Sequence, residues 1–74
     1  MQLGTRWTLG TDAPASLPSA VVEAVQSVER ELDGHDTTGW RWTLTYLERR
    51  PVVELDDGTV VRLDANGVVS IIPA

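Results

Sequence analysis

The chain of 74 residues contains no cysteine, no phenylalanine and no lysine, and its one histidine is His35. Without cysteine no disulfide can form, and one histidine cannot supply the roughly four Cys or His ligands of a structural zinc site. Stability must therefore come from one small apolar core or from self-association. We expect a single domain, residues 1–74, in a reducing compartment, the cytoplasm.

Charge of one sign dominates the composition. All six basic residues are arginine, and eleven acidic residues give a formal net charge of −5. Nucleic acids and anionic membranes are bound mainly through clustered basic side chains, so we expect neither as a partner. The N-terminal residues show neither a signal-peptide pattern nor a span long enough to cross a bilayer, which predicts a soluble protein. The arginine-only usage indicates a GC-rich, bacterial source.

Aromatic residues alternate with polar ones along residues 39–47, which predicts the central strand of a sheet. The residues expected on one face are Trp40, Trp42, Leu44 and Tyr46. The opposite face carries Arg41, Thr43 and Thr45. Because Trp40 opens the strand, the pattern leaves it open whether this ring is buried or lies at the rim.

A first strand is predicted at Gln2–Leu9, with Leu3, Thr5, Trp7 and Leu9 on one face. The tetrapeptide Arg-Trp-Thr-Leu at 6–9 recurs at 41–44. Two strands that present the same aromatic and aliphatic side chains to one face are expected to be neighbours in one sheet.

A helix is predicted at 18–33, because Pro18 suits a first helical turn, Ser16 can cap it, and Gly34 is a natural left-handed stop. An apolar stripe at helical spacing marks its buried side: Leu17, Val21, Ala24, Val25, Val28 and Leu32. The opposite, solvated side carries Ser19, Glu23, Gln26 and Arg30. Glu29, Glu31 and Asp33 crowd the negative end of the helix dipole, so tertiary packing must hold this helix.

Three further strands are predicted at Pro51–Leu55, Thr59–Asp64 and Val68–Ile72. Three-residue loops, with Gly58 and Gly67 in left-handed bulge positions, bring the apolar side chains to one face. That inner face would carry Val53, Leu55, Val61, Leu63, Val69 and Ile71.

The predicted order β-α-β-β-β-β describes an α+β fold in which a curled antiparallel sheet wraps one helix, a cystatin-like or monellin-like topology. Residues 47–58 (LERRPVVELDDG) and 61–69 (VRLDANGVV) resemble the strand repeats of PepSY-type domains, which implies a cystatin-like arrangement. PepSY domains are usually exported or membrane-linked, which nothing in this sequence supports. Where cystatins carry their inhibitory Gln-Val-Gly loop, this chain has Glu48-Arg49-Arg50. The likeness to the cystatin topology therefore implies no inhibitory residue in this chain.

Two groups of polar residues have competing interpretations. His35 beside Asp36 is either a base with its orienting carboxylate or, as we favour, a solvated connector. Acidic and amide side chains near the turns, namely Asp56, Asp57, Asp64 and Asn66, are either calcium ligands or, as we favour, turn residues that bond the backbone. With no catalytic set assigned, the sequence predicts a protein that is not an enzyme and needs no cofactor.

Three surfaces are candidates for binding. The tryptophans form either a stacking platform or, as we favour, part of the core. Arg41, Arg49 and Arg50 form either a basic patch or, as we favour, a solvated hairpin tip. The uncharged strand Val68–Ile72 is expected at a sheet edge, with the N–H of Ser70 among the edge donors. The candidate partner-binding residues are Arg41, Arg49, Arg50, Trp40, Val68, Ser70 and Ile72.

The leading functional hypothesis is therefore a small non-enzymatic binding or accessory module that acts through protein–protein contacts. The alternatives are a homo-oligomeric structural component, such as a homodimer joined by an edge strand, and a small-ligand carrier or enzyme, which needs a pocket that so small a core can hardly spare.

Overall fold

The computed structural model describes residues 4–74 and confirms the predicted order of one helix and five strands. The elements are β1 (Thr5–Thr8), α1 (Ser19–Glu31), β2 (Arg41–Leu47), β3 (Arg50–Leu55), β4 (Val60–Leu63) and β5 (Val69–Ile72). The strands form one curled antiparallel sheet in the order β1-β2-β3-β4-β5. Within residues 4–74 no helix is long and apolar enough to span a bilayer.

The repeated tetrapeptide lies on neighbouring strands, as its sequence predicts. Trp7 of β1 pairs directly with Trp42 of β2, and their rings stack with centroids 6.4 Å apart and planes inclined by 22°. This cross-strand aromatic pair stabilises the junction between the edge strand and the centre of the sheet. The start of the predicted first strand, Gln2 and Leu3, lies outside the described residues.

The predicted hairpin registers of β3, β4 and β5 are confirmed. Val53 pairs with Val61, and Val61 in turn pairs with Ile71. Gly58 and Gly67 have φ angles of 102° and 79°, as the left-handed bulge position requires. The turn glycines therefore set which side chains face the core.

The helix begins and ends near the predicted residues, but its N-terminal cap differs. Pro18 occupies the cap position and no side chain caps the helix, so the prediction that Ser16 is the cap is wrong. The Pro18 carbonyl instead accepts the first hydrogen bonds, from the N–H groups of Val21 and Val22. At the other end Gly34 adopts φ 89°, and the N–H of His35 donates to the Leu32 carbonyl at 2.9 Å in a turn that follows the helix.

The core lies between the helix and the inner face of the sheet. Helical residues on the predicted stripe are buried, with Leu32 half-buried, and the residues predicted to face solvent are exposed. The buried apolar residues are Trp7, Leu17, Val21, Ala24, Val25, Val28, Trp42, Leu44, Val53, Leu55 and Val61. Tyr46 lies on the predicted face, opposite Pro51, but is 45% exposed, so burial of the aromatic stripe ends at Leu44.

Glu29 joins the helix to the sheet. Its Oε2 accepts hydrogen bonds from the indole N–H of Trp42 at 3.0 Å and from the backbone N–H of Gly10 at 2.9 Å. The Trp42 side chain is fully buried, so its polar nitrogen needs an acceptor inside the protein. One half-buried carboxylate therefore holds helix α1, strand β2 and the loop after β1 together.

Replacing Glu29 with alanine should destabilise the fold by about 1–3 kcal/mol, because it leaves the buried Trp42 N–H without an acceptor. Glu23→Ala makes the same chemical change on the exposed side of the same helix and should be nearly neutral. Urea unfolding of both variants measures the difference. Equal midpoints would show that the Glu29 hydrogen bonds contribute nothing to stability.

Gly58→Ala and Gly67→Ala should each cost about 1 kcal/mol or more, because a Cβ atom is unfavourable at positive φ. At Gly67 the cost is conformational, since no described atom lies within 4 Å of the position a Cβ would take. A chemically synthesised chain with D-alanine at position 67 should therefore keep the stability of the glycine protein. Thermal unfolding checks the set, and an equal loss with both alanine enantiomers would contradict this account.

Candidate binding surface

Strand β5 forms one edge of the sheet and β1 forms the other. An edge strand carries backbone N–H and C=O groups that no neighbouring strand pairs, so it can accept a further strand. Which groups are free follows from the alternation of an antiparallel ladder.

On β5 the free backbone groups belong to Val69 and Ile71. The N–H of Asp64 donates to the Val68 carbonyl at 3.0 Å, so Val68 faces β4. Alternation then turns the backbone of Ser70 and Ile72 toward β4 as well, and that of Val69 and Ile71 toward the open edge. The expectation that Ser70 supplies an edge donor is therefore wrong, because its N–H belongs to the ladder with β4.

The side chains around this edge are apolar and exposed. Val68, Ile71 and Ile72 are 56%, 43% and 40% exposed, and no side chain from residue 68 to residue 74 is charged. The opposite edge differs, because Arg6 of β1 is charged and forms an ion pair with Asp56 at 3.7 Å. A charged side chain is one of the usual protections of an edge strand against pairing, and β5 lacks it.

The arginines predicted as one basic patch are separated. Arg41 begins β2, whereas Arg50 pairs with Leu47 at the end of the same strand, about 20 Å away at the usual rise per residue. Arg50 also forms an ion pair with Glu48 at 3.7 Å. The three side chains Arg41, Arg49 and Arg50 therefore do not act as one surface.

The turn between β2 and β3 is strained. Glu48 and Arg49 have φ angles of 53° and 67°, a region in which glycine or asparagine is the usual residue. The two-residue connection and the positive angles are those of a type I′ hairpin. The flanking ladder holds this strained turn in place, and Arg49 is exposed at its tip.

A groove of about 320 Å³ opens on the outer face of the sheet, beside this turn. The β3–β4 ladder stops at Val52 and Arg62, because the next hydrogen-bonded pair would need the backbone N–H that Pro51 lacks. The residues that line the groove are Leu47, Glu48, Arg50, Val52, Arg62, Leu63, Asp64 and Ser70. Since Ser70 belongs to β5, the groove reaches the open edge.

Three of the four charged groups in the groove already have partners. Glu48 and Arg50 pair with each other, and Asp64 Oδ1 accepts the N–H groups of Asn66 at 2.8 Å and Val68 at 2.9 Å. Arg62 is exposed and makes no ion pair within residues 4–74. It is the groove's one cation that can still take an anionic partner.

The polar residues near the loops serve local structure. Asp57 accepts the N–H of Thr59 at 2.8 Å, and Asp56 accepts that of Arg41 at 3.0 Å. Asp36 Oδ1 accepts hydrogen bonds from both the hydroxyl and the backbone N–H of Thr38. These bonds lower the pKa of the Asp36 carboxyl, and the bond from the hydroxyl has the larger effect. The Asp36 carboxylate is therefore occupied by Thr38. In the described part of the chain no group of three His, Asp or Glu residues is placed to hold a metal ion.

The tryptophans belong to the core, as favoured from the sequence. Trp7 and Trp42 are 9% and 0% exposed, so neither presents a stacking face to solvent. Trp40, which the sequence left open, is half-buried and packs against the core, while its carbonyl accepts the N–H of Leu9 at 3.0 Å. Trp40 and Arg41 lie at the far end of β2 from Arg49 and Arg50.

Sequence reasoning missed Arg62 and the groove beside it. The signal was present in Pro51, because a proline whose nitrogen faces a neighbouring strand ends the ladder there. Recognising that signal requires knowing which residue pairs along the ladder are hydrogen-bonded and which are not. The hydrophobic pattern alone does not show this.

Comparison of this chain with protein-family models, with curated proteins and with solved structures finds no significant match. The resemblance of residues 47–58 and 61–69 to PepSY-type domains therefore stays a prediction. Function has to be inferred from the residues and geometry of this chain.

The double change Glu48→Asn/Arg49→Gly should stabilise the protein by about 1–3 kcal/mol, because it places the preferred type I′ residues where two side chains now adopt left-handed conformations. Thermal unfolding measures the gain. The order-reversed variant Glu48→Gly/Arg49→Asn removes the same charges and should gain less, since Asn-Gly is the preferred order. A loss of stability in Asn-Gly would contradict the assignment of strain to this turn.

Proposed function

We propose that this chain is a non-enzymatic binding module that takes an extended segment of a partner protein as a sixth strand beside β5. The observation that supports this most directly is the open edge of β5, where the backbone groups of Val69 and Ile71 point away from β4. In such strand addition, main-chain hydrogen bonds provide affinity and alternate side chains provide specificity.

The composition of the edge supports the proposal. Exposed, uncharged, β-branched residues present apolar surface to an incoming strand, and no charge must lose its hydration when that strand pairs. The contrast with β1, whose Arg6 is charged and forms an ion pair with Asp56, favours β5 over β1 as the place of strand addition.

A second copy of the chain is the alternative partner at this edge, because β5 can pair with β5 of another copy. Antiparallel pairing about Ser70 would place Val69 opposite Ile71 of the other copy, with no like charges across the seam. The chain would then be a homo-oligomeric structural component. Light scattering from micromolar to millimolar concentration separates the two, since only this alternative predicts a dimer without added peptide.

Amide hydrogen exchange tests the direction of the backbone groups on β5. In the free protein we expect fast exchange at Val69 and Ile71 and slow exchange at Ser70 and Ile72, whose N–H groups bond to β4. The peptide acetyl-Ser-Thr-Val-Gln-Val-Thr-Ser-amide, added in excess, should protect Val69 and Ile71. Unchanged exchange at both residues would show that β5 does not accept a strand.

Ile71→Pro should abolish this protection and weaken peptide binding at least about tenfold, because it removes an outward N–H that an added strand needs. Ile71→Ala, which shortens the same side chain but keeps the N–H, should retain binding. Ser70→Pro should instead lower stability, because it removes a hydrogen bond to β4. Peptide titration with circular dichroism as the folding control checks all three, and full binding by a folded Ile71→Pro variant would contradict the proposal.

A further inference from the structure

The outer face of the sheet beside the open edge carries a row of aligned side chains that includes one arginine. Val52, Arg62 and Ser70 lie side by side across β3, β4 and β5, in register and on the face away from the helix. A residue of an added strand placed opposite Ser70 would extend this row. Its side chain would lie on the same face as the Arg62 guanidinium.

Ser70 leaves the path to Arg62 open. The other residues of β5 are valine and isoleucine, whereas the short Ser70 side chain stands between Arg62 and the edge. The groove that Arg62 lines is bounded by Ser70, so its space continues to the edge of the sheet. An added strand would lie two strand spacings, about 10 Å, from β4. An arginine and a glutamate side chain together span most of this distance.

Arg62 is available to an anion from such a strand. It is exposed and forms no ion pair within the described residues. Among the carboxylates on the same side of the sheet, Glu48 is paired with Arg50 and Asp56 with Arg6. Asp64 is bonded to its own turn, and Glu54 lies one row away along β3. The net charge of −5 acts at long range but is screened within about 8 Å at physiological salt, so the local contact decides the preference.

We propose that the segment added at β5 carries an acidic side chain opposite Ser70, where it forms an ion pair with Arg62. This inference rests on the proposed strand addition and specifies the partner. The positions directly on either side of it lie opposite Val69 and Ile71 and favour apolar side chains, which the valines of the test peptides supply. The partner is thus an extended, mainly apolar segment with a central Asp or Glu.

Three peptides that differ only at the centre test the preference. They are Ser-Thr-Val-X-Val-Thr-Ser-amide with X as Glu, Gln or Lys, each carrying a fluorophore in place of the N-terminal acetyl group for fluorescence anisotropy. We expect the Glu peptide to bind about three- to tenfold more tightly than the Gln peptide, as a partly exposed charge-assisted pair allows, and the Lys peptide to bind most weakly.

Charge reversal assigns the preference to Arg62. Arg62→Glu should make the Lys peptide the tightest binder, whereas Arg49→Glu, the same change at the exposed turn tip outside the groove, should leave the order unchanged. Circular dichroism confirms that both variants are folded.

The outcomes separate this inference from the function it rests on. Equal affinities of the three peptides for the unmodified protein, with Val69 and Ile71 still protected from exchange, would overturn the acidic preference and leave strand addition standing. An unchanged order in Arg62→Glu would overturn the role of Arg62. Binding of none of the peptides would overturn both proposals.

Discussion

The carboxylate of Glu29 is the interaction on which the arrangement of the molecule depends. A single helix covers a sheet of five strands, so the helix needs a fixed position along the sheet as well as an apolar face. The hydrophobic effect is non-directional, so burial of an apolar face fixes the position of such a helix less sharply than a directed hydrogen bond does. The hydrogen bond from Trp42 to Glu29 provides direction, because it joins a polar atom on the helix to the one polar atom of the largest core side chain.

The two edges of the sheet are made differently, and the difference follows from the residues at each. Arg6 and Asp56 place opposite charges beside β1, while β5 carries none. Pro51 adds a second asymmetry, since it ends the β3–β4 ladder early and opens a groove that leads to β5 but not to β1. The β5 edge therefore combines uncharged side chains with a neighbouring groove that contains an arginine, whereas the β1 edge carries a charged side chain.

The hydrophobic pattern and the turn residues were enough to predict the element order, the buried side of the helix and the hairpin registers. Each is decided locally: Gly58 and Gly67 fix loop conformation, and alternation then fixes the faces of β4 and β5. For Glu29, by contrast, the sequence indicates only an acidic residue near the helix end, because its partner Trp42 is distant in sequence. Ser16 suits an N-cap by type, yet Pro18 took the position, and Glu48 and Arg49 adopt a turn that their own preferences disfavour. For the candidate site, sequence reasoning found β5 and its apolar side chains, but which backbone groups face outward depends on three-dimensional pairing.

The stacked pair of Trp7 and Trp42 gives the molecule an internal optical reporter. β2 to β5 are joined by short turns, whereas β1 reaches its neighbour only after the connector and the whole helix, so its docking closes the one long loop between paired strands. Two indoles held 6.4 Å apart couple their electronic transitions and produce an exciton signal that neither gives alone. That signal vanishes when β1 leaves the sheet, even while the hairpins persist. Following this signal beside the far-ultraviolet signal of the backbone would therefore report docking of β1 separately from formation of the hairpins, without any added label.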